Sequence, residues 1–244
     1  MKAKSALSAL SSLFALAICS VTAQVVALEE NNDPWEGFNR KVFAFNDGLD
    51  RYVLRPVAVS YNYITPEFVD NSVTSMYSNA GEVLVVANDV AQFKLTQALS
   101  DTARFIINST VGFFGVFDVA SSIGLERHDE DFGQTLGYWG VGSGPYIVLP
   151  FLGPRTVRDV AGNAVDYSSN LSYAYFGNNY AQDAALLGLK IVDLRSDLIA
   201  SEGLISGDKY IFFRSAYLQR REYLINDGVS EDAFDDEFDV FGDE

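Results

Sequence analysis

Between Gly112 and Gly162 the chain carries ten of its 19 glycines and three of its six prolines, Pro145, Pro150 and Pro154. Glycine costs backbone entropy and proline lacks an N–H, so a regular helix cannot run through this stretch and any helical fold is interrupted in its middle. The segment is nevertheless apolar, holding Tyr138, Trp139, Tyr146, Ile147, Val148, Leu149, Phe151 and Leu152. A solvated loop has no use for so many rings and branched chains. An irregular stretch of this length that must still bury itself is expected to be functional or to pack closely against its own domain.

On either side the apolar residues follow helical spacing. Phe38, Val42, Phe45, Leu49 and Tyr52 alternate steps of four and three, which predicts a helix entered at Asp33 as N-cap with Pro34 at its first position and stopped by Pro56. Val69, Val73, Met76, Ala80, Val83, Ala87 and Val90 predict a second helix from Pro66 to Ala91, and a third is expected from Leu99 to Val111 with Ser100 or Asp101 as cap. Beyond Pro154 the pattern predicts helices over Thr156 to Ser169, Gln182 to Ser201 and Asp208 to Ile225. No internal repeat and no linker divides the chain. The expected fold class is therefore mainly α, a single helical domain with a Gly/aromatic-rich irregular segment in its middle.

The first residues are excluded from that domain. Lys2 and Lys4 precede an uncharged stretch from Ser5 to Ala27, whose apolar heart is shorter than the ~20 residues a membrane-spanning helix needs, so residues 1–23 read as a secretory signal peptide. Two cleavage positions fit. Val21-Thr22-Ala23 offers small residues for an ordinary signal peptidase, whereas Leu16-Ala17-Ile18-Cys19 approaches a lipobox with Cys19 as the candidate lipidation site, Ile18 being bulkier than the motif prefers. Cys19 is the one cysteine in the chain, so the mature domain has neither disulfides nor a thiolate metal site.

Charge and composition narrow the partners. A net charge of −16 argues against nucleic acid. The excess collects at the end, where Asp227 to Glu244 holds nine acids and no base. Residues 228–244 read as an acidic disordered tail, with docking to a basic partner as the alternative. Eighteen Phe and thirteen Tyr exceed what a small core needs, so either the core is large or some rings face lipid.

Constellations for chemistry are scarce. His128, the one histidine, sits in the charged run Arg127-His128-Asp129-Glu130-Asp131, where a solvated turn is expected, and no Gly-x-Ser-x-Gly elbow supplies a nucleophile for it. The run matches no calcium loop. Gly140-x-Gly142-x-Gly144 lacks the spacing and strand–turn–helix setting of a nucleotide cradle. The reading is a protein that is not an enzyme and takes no cofactor or metal.

Ordered blocks along the chain carry a resemblance. They are Asp33-Pro34-Trp35-Glu36-Gly37-Phe38-Asn39-Arg40 through Arg55-Pro56-Val57-Ala58, then Arg104-Phe105 with Asn108-Ser109-Thr110, Phe132-Gly133-Gln134-Thr135-Leu136-Gly137, Gly140-Val141-Gly142-x-Gly144-Pro145-Tyr146, Leu149-Pro150-Phe151-x-Gly153-Pro154, Arg158-Asp159, and Arg214-x-x-Tyr217-x-x-Arg220. Over residues 33–227 the chain resembles the MlaA (VacJ-type) family of phospholipid-transport proteins. The resemblance implies a ring-like helical domain in the inner leaflet of the outer membrane, beside a porin. A central amphipathic channel would take misplaced phospholipid from the outer leaflet and hand it to a periplasmic lipid-carrier protein, preserving lipid asymmetry. A structural envelope protein that binds porin or lipid without transport is the alternative.

Residues for such a channel follow from chemistry. Gly140, Gly142, Gly144, Tyr146, Leu149 and Phe151 are the candidates for its wall, since glycine allows close backbone approach and aromatic rings present an apolar body. Arg158, Asp159, Arg214 and Arg220 are candidate head-group ligands or structural ion pairs.

Overall fold

The computed structural model describes residues 33–169 and 180–228; the expected signal peptide, Cys19 and nearly all of the acidic tail lie outside them. Helix α1 spans Glu36–Leu49. Pro56 does not stop the chain there. A π-helical turn, Asp50–Leu54, widens the helix and leads directly into α2, Arg55–Ile64, with Pro56 in its first turn. The wider turn removes the clash a proline ring makes with the carbonyl four residues back, so the helix bends instead of ending. Thr65, extended before Pro66, makes the real break.

Helix α3 spans Glu67–Ala91 and α4 spans Leu95–Thr110. The latter starts earlier than the sequence pattern predicts, so Asp101 is not a cap but a buried residue within it. The Gly-rich middle contains more regular structure than expected: two short helices, α5 at Val119–Ser122 and α6 at Phe132–Tyr138, and an antiparallel hairpin of β1, Tyr146–Leu149, with β2, Gly153–Thr156. Asp118 and Asp131 cap the short helices by accepting from the backbone of Ser121 and Gln134. Helix α7 spans Val157–Ser169 as predicted, α8 spans Tyr180–Asp197, and α9, Lys209–Ile225, is capped by Asp208. Gly162 of α7 lets that helix meet α6: a Cβ there would lie 2.3 Å from the backbone N of Gly133.

The contacts close into a ring. Helix α3 packs on α8, α8 on α2, α2 through the π-turn on α1, α1 on β1, β2 on α9, α9 on α6, and α6 back on α3. Asp33, expected as a helix cap, instead ties α1 to α9. It accepts from Asn39 Nδ2 (2.7 Å), the Tyr210 hydroxyl and Arg214 Nη1 (3.2 Å).

The polarity of this ring is inverted. Among the described residues, nineteen buried side chains are polar or charged and seven are apolar, the apolar cluster centring on Tyr146, Val148 and Tyr210. Large apolar side chains lie outside instead, Tyr63 at 91% and Leu99 at 72% exposure among them. Among the described residues no helix is long and apolar enough to cross a membrane.

Candidate functional site

The ring encloses a cavity of about 490 Å³, walled by α3, the segment from Arg127 to Gln134, Arg155 of β2, and α7, α8 and α9. On α3 its wall is the stripe Thr74, Tyr77, Ser78, Gly81, Glu82 and Val85. This is the face opposite the apolar stripe that marks α3 as a helix. Leu84, Val85, Leu194 and Leu224 add apolar patches to a lining in which half the residues are charged.

Fixed ion pairs hold one side. Arg221 donates from Nη1 to Asp131 Oδ2 (2.5 Å) and from Nη2 to Asp131 Oδ1 (3.0 Å) and Asp159 Oδ1 (2.8 Å). Burial opposes charge on Asp131, but Arg221 outweighs it and holds the carboxyl below its usual range. The Tyr217 hydroxyl donates to Asp159 Oδ2 at 2.5 Å, and burial together with that carboxylate pushes its phenol up. Across the cavity Asp193, nearly fully buried on α8, accepts from Tyr61 (3.1 Å) and Thr74 (2.9 Å).

Behind α3 lies a second polar layer. Arg104, 1% exposed, donates to Glu82 (3.3 Å), Ser121 (3.1 Å), both oxygens of Asp118 and the Leu125 carbonyl. Burial pushes Glu82 up to about 7 against the opposing pull of Arg104. Asp89, fully buried beside Asp101, is raised by burial and by that neighbouring carboxyl. His128 is not a solvated turn residue; its Nδ1 lies 3.0 Å from Asp101 Oδ2.

Glu82 and Asp89 keep protons that the unfolded chain releases above about pH 4, so their contribution to stability is complete only below that pH and is lost progressively as pH rises through 7 to 8. The melting temperature is therefore expected to fall by roughly 5 °C between pH 5.5 and 8.5, and Glu82→Gln to flatten that slope. An unchanged slope in the variant would contradict this assignment.

The residues singled out from sequence fall in two groups. Asp159 and Arg220 line the cavity; Arg158 is buried beside Asp159 (Nε 3.7 Å from Oδ1) and donates to the Val141 carbonyl; Arg214 pairs with Asp33 away from it. Gly140, Gly142, Gly144, Tyr146, Leu149 and Phe151 are not part of its lining. Tyr146 is in the apolar cluster, Gly142 faces open space, and Phe151 stands exposed at the hairpin tip with its ring 5.5 Å from that of Phe45. Asn46 fixes that tip, donating to the Leu149 carbonyl and accepting from the Phe151 N–H. The Gly-rich segment does reach the cavity, through Arg127, Asp129, Glu130, Asp131 and Gln134. Sequence reading passed over Glu82, Lys190 and Arg221; the four-three-four run Thr74, Ser78, Gly81 and Val85, opposite the apolar stripe, marked the face of α3 that carries Glu82, and nothing local marked the other two.

The chain matches known proteins along nearly the whole described region. The MlaA lipoprotein family model matches residues 31–224. A Rickettsia typhi protein is 40% identical over 194 residues, covering 78% of this chain and 76% of that one. The Escherichia coli intermembrane phospholipid transport system lipoprotein MlaA is 36% identical over 204 residues, covering 81% and 80%. A solved structure bearing on the maintenance of bacterial outer membrane lipid asymmetry superposes with a TM-score of 0.71 at 35% identity, covering 80% of this chain and 99% of that chain. With the family model spanning most of its length, this chain belongs to the MlaA lipoprotein family.

Proposed function

We propose that this chain transports phospholipid between the membranes of a bacterial cell envelope, sitting in the inner leaflet of the outer membrane with its apolar exterior in lipid. Phospholipid misplaced in the outer leaflet enters the polar cavity head group first and leaves to a periplasmic carrier, which maintains lipid asymmetry. The inverted polarity carries this reading: exposed rings and aliphatic chains surround a ring whose interior is charged. A protein surrounded by water gains nothing from that arrangement, whereas one surrounded by acyl chains has no other place for its polar groups.

The energetics call for such a path. Drawing a two-chain lipid into water exposes about 30 methylenes at ~0.8 kcal/mol each, on the order of 20 kcal/mol. A head group crossing hydrocarbon costs several kcal/mol unless polar groups line its way. A cavity of about 490 Å³ is large enough for a head group. The hairpin tip with Phe151, and the glycines before it, are assigned to the rim of this path, and Arg158 and Arg214 to structural pairing. A porin is the expected lateral partner. The activity is not enzymatic.

Incorporating p-benzoylphenylalanine at Asn163, on the cavity wall, tests the reading. Irradiation of cells is expected to yield a covalent phospholipid adduct. A protein that binds porin or membrane without moving lipid would give none.

A further inference from the structure

We propose that Lys190, Arg127 and Arg220 form a subsite for a phosphate diester at the mouth of the cavity. The proposal deepens the transport reading and rests on it. All three side chains line the cavity, Lys190 from α8, Arg127 from the segment before α6 and Arg220 from α9. Three elements distant in sequence thus bring cations to one cavity, in a chain whose net charge is −16.

The charges there do not cancel. Asp129 is shared: Oδ1 lies 3.3 Å from Arg127 Nη2 and Oδ2 lies 3.4 Å from Arg220 Nη2. Both carboxylate oxygens are thereby committed to the arginines. Lys190, half-buried, has no carboxylate within ion-pair distance among the described residues. Elsewhere in the cavity Arg221 is matched by Asp131 and Asp159. Three cations around one carboxylate leave a surplus of two positive charges where the chain could have placed none.

Lys190 bears the cost of that surplus. Burial lowers its pKa, Arg127 lowers it further, and Asp129 only partly opposes them. An arriving anion relieves this penalty, which is what a binding site for an anion requires and a structural ion pair does not. Arg127 and Arg220 are exposed, and surface pairs at such distances are worth about 0–1 kcal/mol, so both guanidiniums are free to turn from Asp129 to a ligand. Their planar forks suit two oxygens of one phosphate, with the lysine adding a point charge. A phosphate diester presents two such oxygens and a single negative charge. Diacylglycerol lacks that arrangement.

The full-length protein in detergent is titrated with dihexanoyl phosphatidylglycerol, with dihexanoylglycerol, which lacks the phosphate, and with inorganic phosphate. The phosphatidylglycerol is expected to bind at least about tenfold more tightly than the glyceride. Lys190→Gln should lose about tenfold of its affinity for the phosphatidylglycerol alone, Lys190→Arg should keep it, and neither should lower the melting temperature. Equal binding of both amphiphiles by the wild type, or no loss in Lys190→Gln, overturns the subsite while leaving the lipid reading standing. Inorganic phosphate binding as tightly as the lipid would make this a site for the free anion and overturns it too. Failure of both amphiphiles to bind overturns both readings.

Discussion

Replacing Leu99 and Ile106 together by lysine is expected to release the protein from membranes without unfolding it. The two residues lie seven apart on α4, are 72% and 54% exposed, and share the outward face of that helix. Nothing in the fold needs them there. A lysine at the centre of the hydrocarbon costs about 2.5–3.5 kcal/mol, less near the interface, so two should weaken membrane partition by roughly 10³-fold. The comparison belongs in a Cys19→Ser background, where no acyl chain on that residue can hold the protein in place. The measured quantities are the fraction cosedimenting with liposomes and the melting temperature in detergent. Unaltered cosedimentation of the double variant would mean that the apolar exterior does not face lipid. A collapse of the melting temperature would mean that this face packs against something within the fold.

Much of the fold was legible because helical periodicity reports burial contrast, whatever the sign of that contrast. Val69 to Val90 marks α3 correctly as a helix, yet the side of α3 that faces the cavity is the opposite stripe, Thr74 to Val85. Reading apolar residues as core is safe in water and misleads where the surroundings are lipid. The same reversal hides Phe151, exposed at the hairpin tip, in a segment expected to bury itself. Pro56 misled for a local reason, since a proline ends a helix only where the turn before it cannot widen. The hairpin was obscured by length: four-residue strands separated by Pro150, Phe151 and Leu152 are too short for alternation to rise above noise.

The cavity was invisible for a different reason. Its cations and acids come from α3, the segment before α6, α7, α8 and α9, and no local pattern connects Glu82 to Lys190 or Asp131 to Arg221. Asp159 and Arg220 were nominated through resemblance, not through spacing. The family match supplied the channel as an idea. Which side chains wall it depends on how the ring closes, through contacts such as Gly162 on Gly133 and Asp33 on Tyr210.

The central claim is that phospholipid passes through the cavity, and Gly81 offers the most direct test. It lines the cavity in the middle of α3, and a Cβ built on it meets nothing within 4 Å, so a methyl group fits there and a larger side chain starts from open space. Gly81→Ala should stabilise the helix by about 0.5–1 kcal/mol and leave the path open. Gly81→Trp should keep the fold and fill the path. The measurement is transfer of fluorescent phospholipid from vesicles bearing the protein to acceptor vesicles through a soluble periplasmic lipid carrier. The account predicts wild-type transfer in Gly81→Ala and a loss of at least about tenfold in Gly81→Trp, with both proteins equally abundant and equally stable in the membrane, since a barrier raised by only ~1.4 kcal/mol already slows a step that much. Full transfer through Gly81→Trp would contradict it, because lipid would then be travelling by a route that does not include this cavity.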